Sequence, residues 1–261
     1  MADGTSALAA RRREKPNSNR AWQAVSSSST SMQRQVLSSS ENLGVSPRIS
    51  WLGNRPSVIG GGAKRGFDIV AAVTAIVLLV PLFCLIALAI KAWDGGPILY
   101  RHRRIGLNGT AFNCLKFRTM VANADDVLVR HLAANSEAAR EWQEDHKLKC
   151  DPRITPLGSS MRKTSIDELP QLLNILKGDM SFVGPRPIVT AEVPKYGDCI
   201  DHYLRARPGL TGPWQVSGRN DVDYATRVAL DRGYIEEWSF LRDLVIILKT
   251  VRVVATARGC Y

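Results

Sequence analysis

The sequence is poor in the residues that build metal centres and disulfides. Its 261 residues include four histidines and five cysteines, and the cysteines are scattered, with no CxxC pair and no histidine spacing typical of zinc. An odd number of dispersed thiols is typical of a reducing compartment, so we interpret the cysteines as packing residues. Acidic residues are also few, 24 against 35 lysines and arginines. The net charge of +11 favours an anionic partner: nucleic acid, a phospholipid surface or a phosphorylated substrate.

The first 62 residues lack apolar periodicity and contain few aromatic side chains. They are rich in serine, asparagine and arginine, a composition typical of disordered segments. The basic run Arg11–Arg13 is not followed by an apolar stretch, which argues against a secretory signal. We predict a disordered basic tail over residues 1–62 that lies near an anionic membrane surface.

Charge is absent from the 22 residues Ile69–Ile90, a length that can span a bilayer. Lysine and arginine flank both ends of this segment, and positive charge tends to remain on the cytoplasmic side. Both ends therefore favour the same side of the membrane, which a helix bent at Pro81 would allow. We predict a re-entrant membrane helix over residues 63–92, kinked at Pro81. A straight transmembrane helix that tolerates the proline is the alternative.

Residues 93–261 have the mixed composition of a folded domain, which we place on the cytoplasmic face. Short strands are predicted at Ile98–Tyr100 and Phe112–Leu115, joined by a basic loop over Arg101–Gly109. Ala122–Lys149 has helical composition with interspersed charges. Near the C-terminus, Trp238–Leu248 fits either an interfacial helix lying on the membrane or a core helix of the domain. The predicted fold class is α+β and mostly helical, with a re-entrant membrane helix hairpin and interfacial amphipathic helices.

Asp167 and Glu168 are adjacent carboxylates just before an apolar helical stripe. The stripe consists of leucines spaced along one helix face: Leu169, Leu172, Leu173 and Leu176. Gly178 predicts the end of that helix. With Ser165 as N-cap, Glu168 completes a capping box, but Pro170 then falls inside the helix. With Asp167 as N-cap, Pro170 lies in the first turn, so we favour this later start, which leaves the Asp167 carboxylate pointing outward.

Three loops rich in glycine and proline follow the acidic pair and carry arginines. They are Gly184–Pro187, which presents Arg186, then Arg205–Trp214 and Ser217–Asp221. Rigid loops that carry an arginine suit bidentate phosphate binding, although surface turns with solvated arginines are the alternative. A membrane anchor, arginine loops and an acidic pair together indicate phosphate chemistry on a lipid-linked substrate.

The acidic pair can serve that chemistry in two ways. A carboxylate can attack phosphorus and form an acyl phosphate, provided that a divalent cation and fixed cationic side chains offset the repulsion from a diphosphate. Mg²⁺ needs few protein carboxylates, so Glu168 is the natural metal ligand and Asp167 the nucleophile. The residues alone allow the two roles to be exchanged.

Several motifs of the chain resemble those of the bacterial sugar transferases, the small monotopic polyprenyl-phosphate phosphoglycosyl transferases. The resemblance covers residues 63–261 and is carried by Lys64–Asp68, Lys116–Met120, Ser165–Gln171, Gly178–Pro187, Arg207–Gly212 and Ser217–Asn220. Family members break their re-entrant helix at a Ser-Pro pair, whereas here Val80 stands before Pro81. The proline-dependent break is expected to survive without the serine side-chain bond.

The resemblance implies a ping-pong reaction at the inner membrane, the first step of an exopolysaccharide repeat unit. Asp167 would attack the sugar-linked phosphate of a UDP-hexose and release UMP, and undecaprenyl phosphate would then accept the phosphosugar. Glu168 would hold Mg²⁺. Positions that match family active-site residues, for phosphate, metal or uridine contacts, are Lys116, Arg162, Arg186, Arg219 and Asp231. Galactose is the favoured hexose and glucose the alternative, and the sequence leaves a homo-oligomer open.

Two other classes of function remain to be weighed against an enzyme. A nucleic-acid binder would explain the net charge, but it would not explain the uncharged segment, and no nucleic-acid motif is present. We therefore expect no nucleic-acid partner. A catalytically silent membrane scaffold would explain the anchor and the charge but leaves the acidic pair and the arginine loops without a role.

Overall fold

The computed structural model describes residues 57–145, 148–218 and 222–256. The predicted disordered tail lies outside the described residues except for its last six positions, and Arg219 also lies outside them. The predictions for these parts of the chain therefore stay predictions.

One long helix, α1 (Gly61–Asp94), contains the whole uncharged segment. Of the described helices it is the one that is long and apolar enough to cross a membrane. It starts after Gly60 (φ 78°) and ends at Gly95 (φ 68°), and glycine is the residue that adopts these left-handed conformations at low cost. The helix continues through Pro81. The kink at Pro81 and the re-entrant path therefore stay predictions.

Helix α1 packs against the domain with one face and exposes the opposite face. Ala72, Ile86 and Ile90 are buried. Apolar side chains on the other face are 64–73% exposed, namely Val70, Val77, Leu78, Leu85 and Leu88. A continuous apolar surface of this kind is typical of a membrane or protein contact.

Both ends of α1 are attached to the same folded unit, residues 56–261. Near the first end, Lys64 forms an ion pair with Asp243, and Asp68 Oδ1 accepts hydrogen bonds from Ser181 Oγ at 3.1 Å and the Phe182 N–H at 3.0 Å. At the other end, the Arg118 guanidinium donates to both carboxylate oxygens of Asp94. The two ends of the apolar helix are thus held by one domain.

The remaining elements form a mostly helical α+β domain with two small sheets, which confirms the predicted fold class at that level. An antiparallel hairpin consists of β1 (Leu99–Ile105) and β2 (Ala111–Phe117), and β3 (Ser181–Val183) pairs in parallel with β4 (Gly209–Thr211). The helices are α2 (Ala124–Ala134), α3 (Ser136–Asp145), α4 (Pro156–Thr164), α5 (Gln171–Lys177), α6 (Val193–Tyr196), α7 (Ile200–Leu204), α8 (Pro213–Ser217), α9 (Tyr224–Glu236) and α10 (Phe240–Thr256).

The predicted basic loop over Arg101–Gly109 is wrong for its first half. Residues Arg101–Ile105 continue β1, and each of them pairs with a residue of β2. The chain reverses only in the short 3₁₀ turn Leu107–Gly109, where Asn108 has φ 55°. Over Arg101–Arg104 the side chains of β1 alternate between exposed and half-buried positions, so the charged Arg101 and Arg103 fit the solvent side of this strand.

Both predicted starts of the central helix are also wrong. Ser165 has φ 58° and closes α4, while Asp167 and Glu168 lie in a separate 3₁₀ turn, Ile166–Glu168. Helix α5 begins only after Pro170, because this proline can enter a helix at its start but lacks an N–H to continue one. Asp167 is only 8% exposed, so its side chain does not point outward from a helix end.

The buried face of α5 differs from the leucine stripe. Leu173 is 44% exposed, whereas Ile175 is fully buried. The polar residue Asn174 is also buried, since its Oδ1 accepts from the Leu115 N–H at 3.0 Å and its Nδ2 donates to Asn113 O at 2.8 Å. This amide fixes α5 to strand β2. Gly178 ends the helix with φ 94°, as predicted.

Helix α10 combines features of both interpretations of the C-terminal segment. Asp243 and Ile246 are buried in the domain, while Leu241, Leu248 and Val251 are 64–70% exposed. The helix therefore packs in the core with one face and has an apolar outer face suited to a membrane surface. Its placement on the membrane stays a prediction.

Because one domain holds both ends of α1, we expect these ends to lie on the same side of the membrane. In a cysteine-free background, single cysteines introduced at the exposed positions Gly62 and Trp93 should react with an impermeant maleimide in the same vesicle orientation. Asp198→Cys, on the exposed domain surface, is the control and should follow them. Leu78→Cys, on the apolar face, should resist labelling in both orientations. Labelling of positions 62 and 93 from opposite sides would rule out the re-entrant path.

Candidate active site

The 3₁₀ turn Ile166–Glu168, called the acidic turn below, lies against the end of the β1–β2 hairpin. Strand β2 carries Lys116, and Asn174 holds α5 on the same strand, so the turn preceding α5 is brought next to this lysine. Lys116 Nζ donates to Glu168 Oε1 at 2.6 Å. The neighbouring Asp167 is buried. A buried carboxylate thus lies beside a lysine–glutamate ion pair.

The two carboxylates differ in their electrostatic environment. Burial raises the pKa of Asp167 to about 6, with the positive charge of Lys116 opposing the rise and the negative charge of Glu168 adding to it. Burial also acts on Glu168, but the charges of Lys116 and Arg186 outweigh it and hold the pKa of Glu168 below its ordinary value. Environments that shift the pKa values of two neighbouring carboxyl groups in opposite directions are typical of active sites in which the two groups have different catalytic roles.

Arg162 lies in the last turn of α4, near Asp167. Its Nε donates to Thr119 Oγ1 at 2.9 Å. Burial lowers the pKa of Arg162, and the charge of Asp167 opposes that effect. Helix α4 can pack this closely because Gly158 has no side chain, since a Cβ at that position would lie 2.0 Å from the Thr119 carbonyl oxygen. The glycine therefore sets the position of Arg162.

A cavity in front of Glu168 has three cationic side chains among its ten lining residues. Its polar lining includes Arg104, Lys116, Glu168, Gln171, Arg186 and Gln215. Three cations against one carboxylate give the cavity a net positive charge suited to an anion with several oxygens. Arg186 lies with its guanidinium carbon 5.5 Å from the centroid of the Trp214 ring, and Arg104 Nη1 donates to Pro187 O at 3.1 Å. These contacts hold the two arginines in place.

The structure brings together most of the residues predicted for the site. Asp167, Glu168, Lys116, Arg162 and Arg186 lie at or next to the cavity. Their assembly shows which residues are neighbours, while their individual roles stay predictions.

Asp231 lies in α9 and does not line the cavity. It is 1% exposed, and its Oδ2 accepts a hydrogen bond from the Tyr196 hydroxyl at 2.9 Å. Burial raises the pKa of Asp231 to about 7, with Tyr196 and the charge of Arg186 opposing the rise. Asp231 thus lies within electrostatic reach of Arg186 without lining the cavity, and its role in the site stays a prediction.

The second loop contributes Gly209 and Leu210 to this cavity, but its arginines do not line it. Arg207 Nε donates to Gly178 O at 3.0 Å, and the side chain lines a different cavity next to Lys64 and Asp68. Phosphate binding by Arg207 therefore stays a prediction, and it would not take place in the cavity of Glu168. The third loop lies largely outside the described residues.

A sequence profile described as bacterial sugar transferase matches residues 60–257. The chain belongs to this family. This confirms the resemblance drawn from the motifs, and the match includes every residue of the cavity.

Individual sugar transferases are similar to the chain over most of its length. It is 55% identical over 203 residues to the exopolysaccharide production protein ExoY of Sinorhizobium fredii, covering 78% of this chain and 90% of that protein. It is 52% identical over 198 residues to the undecaprenyl-phosphate galactose phosphotransferase of Salmonella typhimurium, covering 76% and 41%. It is 43% identical over 217 residues to the UDP-glucose:undecaprenyl-phosphate glucose-1-phosphate transferase of Caulobacter vibrioides, covering 80% and 76%.

Sequence reasoning missed three residues of the sugar transferase cavity: Arg104, Gln171 and Gln215. Arg104 was assigned to a loop, although its spacing from His102 is the period of a strand whose alternate residues share one face. Gln171 and Gln215 are neutral and lie at the starts of two short helices. Gln171 ends the motif Ser165–Gln171, which carries the resemblance without giving this residue a role, and nothing in the sequence context of Gln215 distinguishes it from a surface glutamine.

The carboxylates of this sugar transferase site are of the type that Mg²⁺ binds, and Mg²⁺ itself stays a prediction. Among the described residues no cluster of three or more histidine, cysteine, aspartate or glutamate side chains is present. Mg²⁺ typically binds one or two carboxylates and completes its shell with water and substrate phosphate oxygens. Glu168 with the adjacent Asp167 meets that requirement, although an ion on Glu168 would share this carboxylate with Lys116.

We expect Asp167→Asn to stabilise the protein at neutral pH. The folded state binds the Asp167 proton more tightly than the unfolded chain does, so the ionised carboxylate destabilises the fold above pH 6, and this effect disappears as the pH falls toward 4. The increase of the pKa from 3.8 to about 6 corresponds to up to about 3 kcal/mol. Thermal unfolding of the purified protein at pH 7.5 and at pH 4.5 measures the difference.

Asp198→Asn, on an exposed loop, is the matched control and should leave the unfolding temperature unchanged. If the difference in unfolding temperature between Asp167→Asn and the wild type grew as the pH falls, the burial of an ionisable Asp167 would be contradicted.

Proposed function

We propose that this sugar transferase moves a hexose 1-phosphate from a UDP-hexose to undecaprenyl phosphate. The products are UMP and an undecaprenyl-diphosphate sugar, which would begin an exopolysaccharide repeat unit. The observation that carries the proposal is the buried Asp167 beside the Lys116–Glu168 ion pair at a cavity lined by three cations. The names of the relatives, which include undecaprenyl-phosphate galactose and glucose-1-phosphate transferases, support the same reaction.

In the proposed first half-reaction, a carboxylate oxygen of Asp167 attacks the phosphorus atom that carries the hexose. The bond from that phosphorus to the bridging oxygen of the diphosphate breaks, and its electron pair leaves with UMP. The hexose phosphate remains on Asp167 as an acyl phosphate. Arg104, Lys116 and Arg186 are positioned to offset the charge of the diphosphate oxygens as the leaving group departs.

In the proposed second half-reaction, an oxygen of undecaprenyl phosphate attacks the same phosphorus atom. The acyl-phosphate bond breaks and Asp167 returns to its carboxylate form, so no net proton transfer is required. Glu168 stays ionised throughout, because Lys116 and Arg186 hold its pKa low. It is the residue that would hold Mg²⁺, which when bound would neutralise part of the diphosphate charge.

The environment of Asp167 supports its assignment as the nucleophile and Glu168 as the metal ligand. Asp167 is the more buried of the two carboxylates and its pKa is raised, so its ionised form is less stabilised by its surroundings. Glu168 is paired with Lys116 and is the carboxylate that lines the cavity. This arrangement favours one of the two role assignments that the sequence left open.

Galactose is the proposed hexose, with glucose as the alternative. Relatives named for galactose are 52% and 50% identical to the chain, whereas a relative named for glucose is 43% identical. We place the protein at the inner membrane with its domain on the cytoplasmic face. This location is supported by the apolar exposed face of α1, by its two ends held by one domain, and by the net charge of +11.

The central test is release of UMP from UDP-galactose and UDP-glucose, with and without undecaprenyl phosphate and Mg²⁺. Wild type should release UMP and, without acceptor, gain the mass of a hexose phosphate. Asp167→Asn should lose both signals, with turnover at least about 100-fold lower because the attacking group is absent. Asp198→Asn should keep both signals.

Two outcomes of this experiment would contradict the proposal in different ways. Full UMP release by Asp167→Asn would remove Asp167 as the nucleophile. No UMP release by the wild type from either nucleotide sugar would favour the catalytically silent scaffold.

The pKa of Asp167 predicts an acid limb in the rate of the first half-reaction. Asp167 must be ionised to attack, so single-turnover UMP release should fall about tenfold per pH unit below a midpoint near 6. Lys116→Met removes the charge that opposes the raised pKa and should move this midpoint to higher pH. Single-turnover conditions without acceptor exclude titration of the undecaprenyl phosphate. A rate that is constant from pH 7.5 to 5 would contradict the assignment.

A further inference from the structure

The cavity contains one buried acceptor that the proposed chemistry does not use. Gln215 lines the cavity, and its Oε1 is closed off from solvent and accepts no hydrogen bond. Its Nε2 donates to Leu210 O at 3.3 Å. Within residues 57–145, 148–218 and 222–256, Gln215 is the cavity-lining residue with a buried, unpartnered side-chain polar atom. A buried acceptor of this kind destabilises the folded protein unless a bound group donates a hydrogen bond to it.

The packing around α8 fixes Gln215 close to the loop Gly184–Pro187, which carries Arg186. Helix α8 starts after Gly212, where a Cβ would lie 2.3 Å from Gly184 O and 3.1 Å from Gln215 Oε1. Trp214, the preceding residue, is buried and its ring lies 5.5 Å from the Arg186 guanidinium carbon. Gln215 therefore lies on the same side of the cavity as Arg186.

The hydrogen-bonding capacity of Gln215 Oε1 differs from that of its charged neighbours. Arg104, Lys116 and Arg186 can only donate, and the ionised oxygens of a diphosphate can only accept. Gln215 Oε1 can only accept, so a phosphate oxygen cannot satisfy it. It requires an N–H or O–H group, and on a UDP-hexose these are the uracil N–H, the ribose hydroxyls and the hexose hydroxyls.

We propose that Gln215 is a substrate-recognition residue whose Oε1 accepts a hydrogen bond from an uncharged donor group of the UDP-hexose. The inference rests on the proposed function and deepens it. The cationic residues recognise the charged diphosphate, whereas Gln215 recognises an uncharged donor of the nucleoside or the hexose. A site built to hydrogen-bond a substrate donor discriminates against analogues that lack it, because its buried acceptor is then left unpaired.

The test uses Gln215→Met, which removes the acceptor and the donor to Leu210 O together without adding a charge to the cavity. We expect Gln215→Met to raise KM for the UDP-hexose about 3–10-fold, the loss of one neutral hydrogen bond. The unfolding temperature of the ligand-free variant reports separately on the loss of the bond to Leu210 O. Gln143→Met, on the exposed surface of α3, is the control and should leave KM and kcat unchanged.

Two further readouts identify the half of the substrate that Gln215 contacts. If the donor belongs to the nucleoside, Gln215→Met should weaken inhibition by UMP by the same factor that raises KM. If the donor belongs to the hexose, UMP inhibition should be unchanged while KM for the UDP-hexose rises. The ratio of kcat/KM for UDP-galactose to that for UDP-glucose should change as well if the donor is the 4-hydroxyl, where the two hexoses differ. Either result supports the inference.

An active wild type in which Gln215→Met leaves KM unchanged would overturn the inference alone. A lower unfolding temperature and a lower kcat of Gln215→Met without a change in KM would show that the bond to Leu210 O is the function of the side chain, and would also overturn it. A wild type that releases no UMP would overturn the proposed function and the inference with it. If Gln215→Met does not fold, Gln215→Asn replaces it, since the shorter side chain withdraws the oxygen and should raise KM in the same way.

Discussion

The buried amide of Asn174 is the interaction on which the arrangement of the site depends. Its side chain accepts from the Leu115 N–H and donates to Asn113 O, which satisfies the free edge of β2 much as a neighbouring strand would. Its own carbonyl accepts from the N–H groups of Gly178, Asp179 and Met180, which closes the C-terminal end of α5. One residue therefore sets the distance between the strand that carries Lys116 and the helix that follows the acidic turn. Without it, buried backbone groups of β2 would lose their partners, which is costly.

The same helix end connects the site to the membrane segment. Arg65 of α1 donates to the carbonyl oxygens of Ile175 and Leu176 at 2.5 and 2.8 Å, and Arg207 donates to Gly178 O. These cations satisfy carbonyl groups at the end of α5, where positive charge is favoured. The apolar helix and the acidic turn thus pack as parts of one unit. A membrane-bound substrate would meet an acidic turn whose position relative to α1 is fixed.

The chemistry of the site follows from an uneven distribution of charge around two adjacent carboxylates. Burial is the largest effect on the pKa of both groups, but the charges of Lys116 and Arg186 outweigh it at Glu168, whereas at Asp167 burial prevails. The pKa of Asp167 is therefore raised and the pKa of the adjacent Glu168 is lowered, although both side chains are carboxylic acids. Burying the ionised Asp167 lowers the free energy of unfolding, and the packing of the surrounding domain offsets this loss, as is common at sites where function opposes stability.

The sequence by itself determined the apolar segment, the acidic pair, the family and most of the charged residues that meet at the site. These features are local or depend on residue type, so composition, spacing and motifs carry them. Only the tertiary structure decided where the helix after Asp167 begins, because the left-handed turn at Ser165 and the packing of Asn174 against β2 override the capping pattern. It also separated Arg207 from Arg186, which have similar loop sequences but different neighbours. Gln215 became recognisable only from its burial, since an unpaired acceptor is a property of three-dimensional surroundings and has no sequence pattern.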